Sequence, residues 1–293
     1  MRVIDRERKV AIINGLCNGL SLRAASRLFD THRTAIQSLL VRVGLNCDRI
    51  MYENMKKIDC RNLEIDELWT FCGKKQGRLR ADERFNLDLG DQYVFFAIDN
   101  ETKVIPAWSV GKRSNETALA FLYRLKGSLN GCRSQISTDA WGGYEDTIEQ
   151  VFGADVDYAT ITKEYESVAV GPGRYAPPKV SGVVKSVRKG NPDESRICTS
   201  IVERSNLTLR TMQRRFTRLA SGSAGKWKIS GRPSRYTSPT ITSCGSPGRS
   251  AVSLLRWQRA QRTGYGMWRT WWANASALVG KVVPACWDPL AIP

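Results

Sequence analysis

From about residue 61 the apolar pattern of this chain becomes mixed, with short strand-like runs set among helical ones. The strand-like runs number five, LEIDELWTF, QYVFFAID, VIPAWSV, QISTDAW and DVDYATI. Short apolar runs rich in β-branched and aromatic residues read as strands, so five of them demand a sheet. Between them ETALAFLYRLKGSL repeats leucine at helical spacing (Leu119, Leu122, Leu125, Leu129), and YEDTIEQVFG reads as a second helix.

Three strands, a helix, a strand and a helix predict an α/β domain over residues 61–225, a ribonuclease H-like mixed sheet with flanking helices. Residues 163–198 carry Gly171, Pro172, Gly173, Pro177, Pro178 and a turn-like GNPD, and read as an insertion. The helix SIVERSNLTLRTMQRRF follows, with Val202, Leu209, Met212, Phe216 and Leu219 on its apolar face and Glu203, Asn206 and Arg210 on another.

Residues 1–45 keep the helical period. Ile12, Leu16 and Leu20 form one stripe, then come SLRAASRLF and THRTAIQSLLVRVG, with Ser21 and Thr31 where N-caps belong. This is an all-α helix-turn-helix pattern, whose third helix would turn Arg33, Thr34, Gln37 and Arg42 outward and Ile36, Leu39 and Leu40 inward. The outward set can reach base edges and phosphates of double-stranded DNA; a plain three-helix bundle with solvated charges is the alternative. Residues 46–60 read as a linker.

Composition narrows the chemistry. One histidine, His32, and eight cysteines without a CxxC pair argue against a histidine or zinc site, a Ser-His-Asp triad and a disulfide framework. Any metal would have to be held by carboxylates. No apolar run approaches the roughly 18 residues of a bilayer span, and the charged start MRVIDRERK is no signal peptide, so a cytoplasmic, nucleoid-associated protein is expected.

Three acids stand where such a metal site needs them. Asp66 in IDELWTF and Asp139 in ISTDAWGGY lie toward the ends of strand-like runs, and Glu203 opens the last helix. Phosphodiester cleavage or transfer needs an activated nucleophile and neutralised charge on the attacking and leaving oxygens. Two Mg²⁺ (or Mn²⁺) ions about 3.5 to 4 Å apart meet those needs with oxygen ligands. Plainer roles compete: Glu64 shares a face with Asp66 and Glu67 takes the other, Asp139 could cap a helix, Glu203 could pair with an arginine, and Asp99 ends a strand as Asp139 does. Arg204, Arg210, Arg214, Arg215 and Arg218 lie across the last helix, able to track a DNA backbone or to form a solvated face.

The segments IDELWTFCGKKQ, AIDNETKVIPAWSVGKRSNETA, STDAWGGY, FGADVDYA, GNPDESRICTSIVERSNLTLR and MQRRFTRL, in that order, resemble the DDE transposases of the bacterial insertion-sequence-one family. The resemblance covers residues 1 to about 225. It implies a ribonuclease H-like catalytic domain behind a helix-turn-helix that binds the element's terminal inverted repeats. It also implies divalent ions on Asp66, Asp139 and Glu203, and at least a dimer on DNA. Water would attack at the element end, and the freed 3′-hydroxyl would then attack target DNA. A DNA-binding remnant without catalysis and a stand-alone nuclease of the same fold are the alternatives.

The family's pattern stops near residue 225. Of a net charge of +17, residues 226–293 contribute +9, from ten Lys/Arg against Asp288, and they hold six of the nine tryptophans. Read two nucleotides later, codons for Arg235 to Thr242 permit Leu-Tyr-Val-Ala-Tyr-Tyr-Asn. Those from Arg262 to Ala273 permit Asp-Arg-Val-Trp-Asp-Val-Ala-Asp-Leu-Val. Both strings resemble the family's own C-terminus. A frameshift near residues 222–226 accounts for them and leaves an out-of-frame tail expected to be poorly ordered; a genuine basic extension is the alternative.

Overall fold

The structure, a computed structural model, describes residues 4–165, 180–213, 216 and 217. Arg214, Arg215, Arg218 and the 226–293 tail lie outside them. The elements are α1 (Arg6–Cys17), α2 (Leu22–Leu28), α3 (Arg33–Asn54), β1 (Asn62–Cys72), β2 (Gly90–Asp99), β3 (Trp108–Gly111), α4 (Asn115–Ser128), β4 (Ser134–Asp139), α5 (Gly142–Phe152), β5 (Val156–Tyr165), β6 (Val180–Lys189) and α6 (Ser200–Met212). No helix among the described residues is long and apolar enough to cross a membrane.

The six strands form one mixed sheet in the order β3-β2-β1-β4-β5-β6. β1, β4 and β5 run parallel to one another, and the remaining pairings are antiparallel. This order, with helices on both faces, is compatible with a ribonuclease H-like fold. The segment read as an insertion supplies β6, paired along the outer edge of β5.

Alternation along β1 and β2 sorts the two cores. Leu63, Ile65, Phe95 and Ala97 face one way and are buried with Phe121, Leu122 and Leu125 of α4 and Tyr144, Ile148 and Val151 of α5. Leu68, Val94, Phe96 and Ile98 face the other way and are buried with Val202 and Leu209 of α6, joined by Phe216. Burying a side chain of this size is worth about 1.5–3 kcal/mol, so these faces fix the register of the central strands.

The N-terminal helices bury Ile12, Leu16, Ala25, Ile36 and Leu39 together. Ser21 caps α2 as expected, its hydroxyl accepting from Ala24 N–H at 3.0 Å. The cap of α3 falls one residue later than expected. His32 takes that position, with its ring nitrogen facing Thr34 N–H, while Thr31 is buried and donates its hydroxyl to Phe29 C=O.

α3 also runs on to Asn54, through most of the segment expected as a linker. Gly44 is buried within it and does not end it. A mid-helix glycine costs about 1 kcal/mol. The following turns offset that by burying Met51 and by pairing Asp48 with Arg124 of α4 at 2.6 Å.

Candidate active site

Glu64 of β1 pairs in parallel with Ser137 of β4, the last pair of that ladder, and two residues further along each strand the Asp66 and Asp139 carboxylates come close together. β4 then stops, whereas β1 continues six residues to Cys72. The edge of β1 is therefore open just past Asp66, and side chains from both faces reach the notch. One carboxylate oxygen each from Asp66, Glu67 and Asp139 lie within 4.8 Å of one another, a group able to hold a metal ion.

Each carboxylate is held by a neighbour. Asp66 Oδ1 accepts from Glu67 N–H at 2.8 Å, and Oδ2 accepts from the Asn206 side-chain amide of α6 at 2.6 Å. Asp139 Oδ1 accepts from Trp141 N–H at 3.2 Å. The Arg113 guanidinium, in the turn between β3 and α4, sits 3.3 Å from Glu67 Oε2 and 3.4 Å from Asp139 Oδ2. Its flat face lies over the Trp141 ring, 4.9 Å from the centroid. A Cβ at Gly143 would collide with that ring, so the first turn of α5 needs glycine there.

Crowding raises proton affinity. Burial, then the Asp139 and Glu203 charges, push the Asp66 carboxyl up to about 6, against the pull of Glu67 N–H and Arg210. Burial and Asp139 push Glu67 up to about 7. The Tyr144 hydroxyl lies at the same carboxylate, drawing it part of the way back while staying outside full hydrogen-bond geometry. Half-buried carboxylates gathered a few ångströms apart, with proton affinity raised at Asp66 and Glu67, have the donor set a hard divalent cation relieves.

Glu203 is not in this cluster. Its Oε1 accepts from Thr199 Oγ1 at 2.8 Å and from Lys163 Nζ, and its charge still reaches Asp66. Behind it lies a carboxylate with a structural task. Glu64, 1% exposed, accepts from Ile201 N–H at 2.8 Å and Val202 N–H at 2.9 Å with one oxygen, and from the Asn100 amide with the other. Its charge caps the start of α6 and fixes where Glu203 and Asn206 stand. Asp99 is a turn residue: Oδ2 accepts from Thr102 N–H and Oγ1 at 2.7 and 2.6 Å.

Arg33, Thr34, Gln37 and Arg42 are all exposed on α3. On α6, Arg204 is exposed, whereas Arg210 is half-buried and acts on Asp66. Glu67 is the residue whose part was missed, because alternation alone puts it on the far face and the end of β4 brings it back. Arg113 carries no periodic signal, sitting in the turn GKRSN. The six described cysteines are free, three of them buried.

Neither a protein-family model nor a curated protein sequence matches the chain. Among solved structures it is similar to the Mos1 strand transfer complex, at 12% identity and a TM-score of 0.21, over 51% of this chain. The match spans 58% of that chain's length. A TM-score this low assigns neither fold nor function.

Proposed function

We propose that the chain is a DDE transposase of an insertion element, cleaving DNA at terminal inverted repeats and joining 3′-hydroxyl ends to target DNA. The observation that carries this reading is the gathering of the Asp66 and Asp139 carboxylates, with Glu67, from the adjacent parallel strands β1 and β4, with α6 anchored behind them by Glu64.

Asp66, Asp139 and Glu203 are the residues that would hold Mg²⁺ or Mn²⁺, with Glu67 at the same notch. Bound there, the cations would activate the attacking oxygen and neutralise charge on the leaving one. Asn206 keeps Asp66 turned toward the notch, and Arg113 does the same for Asp139. Arg33, Thr34, Gln37 and Arg42 would meet the repeats through α3, and Arg204, with Arg214 and Arg215, would follow the backbone. Arg210 is better suited to balancing the charge of Asp66 than to tracking DNA. The helix-turn-helix role of residues 1–45, the domain limit near residue 225 and assembly of at least two copies on paired ends belong to the same proposal.

The test is Mg²⁺-dependent cleavage and joining of DNA carrying the element ends. Asp66→Asn, Asp139→Asn and Glu203→Gln should each abolish both steps while leaving repeat binding intact; undiminished activity in the three variants removes the assignment. One observation favours a second reading. Because Glu203 pairs with Lys163, the chain could be a repeat-binding remnant that catalyses nothing, and gel-shift binding without any cleavage would establish that. Cleavage without joining, indifferent to the ends, would instead indicate a stand-alone nuclease.

A further inference from the structure

The face of β1 and β2 that α4 and α5 cover is only partly covered. Leu63, Ile65, Phe95 and Ala97 are buried beneath the two helices, but toward the Cys72 end Trp69, Phe71 and Tyr93 remain partly exposed. Register sets Trp69 opposite Tyr93, and the Trp69 and Phe71 rings lie 5.8 Å apart. Trp141, also partly exposed, extends the row to the carboxylate notch.

Cations are interleaved with these rings. Arg113 lies over Trp141 at 4.9 Å and over Tyr93 at 5.9 Å, and Lys75 lies over Trp69 at 5.7 Å. Arg113 also contacts Asp139 and Glu67, so the row begins at the acids. The loop at its far end exposes Arg78 and Arg84 and holds Phe85 90% exposed. Its acids are largely engaged: Glu83 by Lys74, Asp82 by Arg80, and Asp91 by Gln76 N–H.

Half-covered aromatic rings flanked by cations suit one ligand chemistry, the flat faces of unpaired bases on a polyanionic backbone. A duplex buries its base faces and cannot use such a row. Trp69 stands three residues beyond Asp66, about 10 Å along the strand, or about three bases at the roughly 3.4 Å spacing of a stacked strand. We propose that Trp141, Tyr93, Trp69 and Phe71 form a stacking platform for unpaired bases of a single DNA strand whose backbone runs to the carboxylate notch. This rests on the reading of the chain as a DNA-processing protein and adds that the strand is opened next to the reacting phosphate.

The test uses the full chain in EDTA at one fixed salt concentration, with a labelled short oligothymidylate and a blunt duplex of equal length as probes. The basic tail contributes equally to every variant, so comparison between variants isolates the platform. Trp69→Ala and Tyr93→Ala should each weaken oligothymidylate binding roughly tenfold and leave duplex binding unchanged, as expected for loss of one stacked base. Trp69→Phe should restore most of the affinity. Equal loss on both probes, or none on either, overturns the proposal. Photo-crosslinking of oligothymidylate to the unmutated protein needs no variant. Adducts should map to Trp69, Phe71 or Tyr93, and adducts confined to other peptides count against the platform. Selective single-strand binding without cleavage keeps the platform and removes the transposase; cleavage with no selective loss at Trp69 does the reverse.

Discussion

Asp66 shows at the scale of one residue how a site of this kind works against its own fold. An aspartate carboxyl titrates near 3.9 in an unfolded chain, whereas burial and the nearby Asp139 and Glu203 charges raise Asp66 to about 6 in the folded protein. Between those values the metal-free folded state binds more protons than the unfolded chain. Its stability is therefore fully present below about pH 4 and is lost as pH rises through 6. Asp66→Asn cannot ionise and keeps the size of the side chain. In EDTA it should melt above the parent at pH 8, by on the order of 1–3 kcal/mol, and level with it at pH 4. A gap that does not change with pH would show that Asp66 carries no such penalty. Mg²⁺ added at pH 8 should raise the parent's melting temperature and not that of Asp66→Asn, since a ligand stabilises only the state that binds it.

Among the elements, α6 depends most on a single contact from outside itself. Thr199 at its N-cap makes no side-chain cap bond, and Glu64 of β1 supplies the missing acceptor to two backbone N–H groups. Glu64→Ala should destabilise the protein by on the order of 2–4 kcal/mol in urea titration, because it leaves buried donors of α6 and Asn100 without a partner. Glu64→Gln keeps an acceptor oxygen and should cost distinctly less; equal costs would make the loss one of packing alone. Sequence conveys such elements unevenly. The central strands are legible in LEIDELWTF and QYVFFAID, since a short apolar run marks a strand locally even where both of its faces are buried. Asp139 is legible as an acid that ends its strand, whereas Asp66, expected at a strand's end, lies within β1, which runs six residues past it to Cys72. Glu67 and Arg113 are not legible, because their place in the notch depends on where β4 ends, and no pattern within β1 records that. The pairing of Glu203 with Lys163 is equally silent, joining residues 40 apart in the chain.

For the molecule as a whole, α3 is the element that joins the N-terminal helices to the sheet. At about 1.5 Å per residue, its 22 residues span roughly 33 Å. One end carries exposed Arg33, Thr34 and Gln37, and the other is tied to the sheet domain. The tie is made by Asp48 to Arg124, by buried Met51 and Met55, and by the bridge from Ile58 to Leu129. Arg124 in turn lies 5.1 Å over the Trp108 ring of β3. The Asp48 and Arg124 side chains are only 18% and 23% exposed, so their pairing is less screened than a surface ion pair. A double-mutant cycle on Asp48→Ala and Arg124→Ala should give a coupling of about 1 kcal/mol. Breaking the pair should also speed amide exchange in Met51 to Asn54 and leave β1 and β4 unchanged, since local opening follows local contacts. If exchange quickens throughout the sheet instead, the N-terminal helices and the sheet unfold as one cooperative unit. On the proposed reading, in which Arg33 meets DNA, that contact would then be coupled to the carboxylate notch through the core and not through the α3 rod.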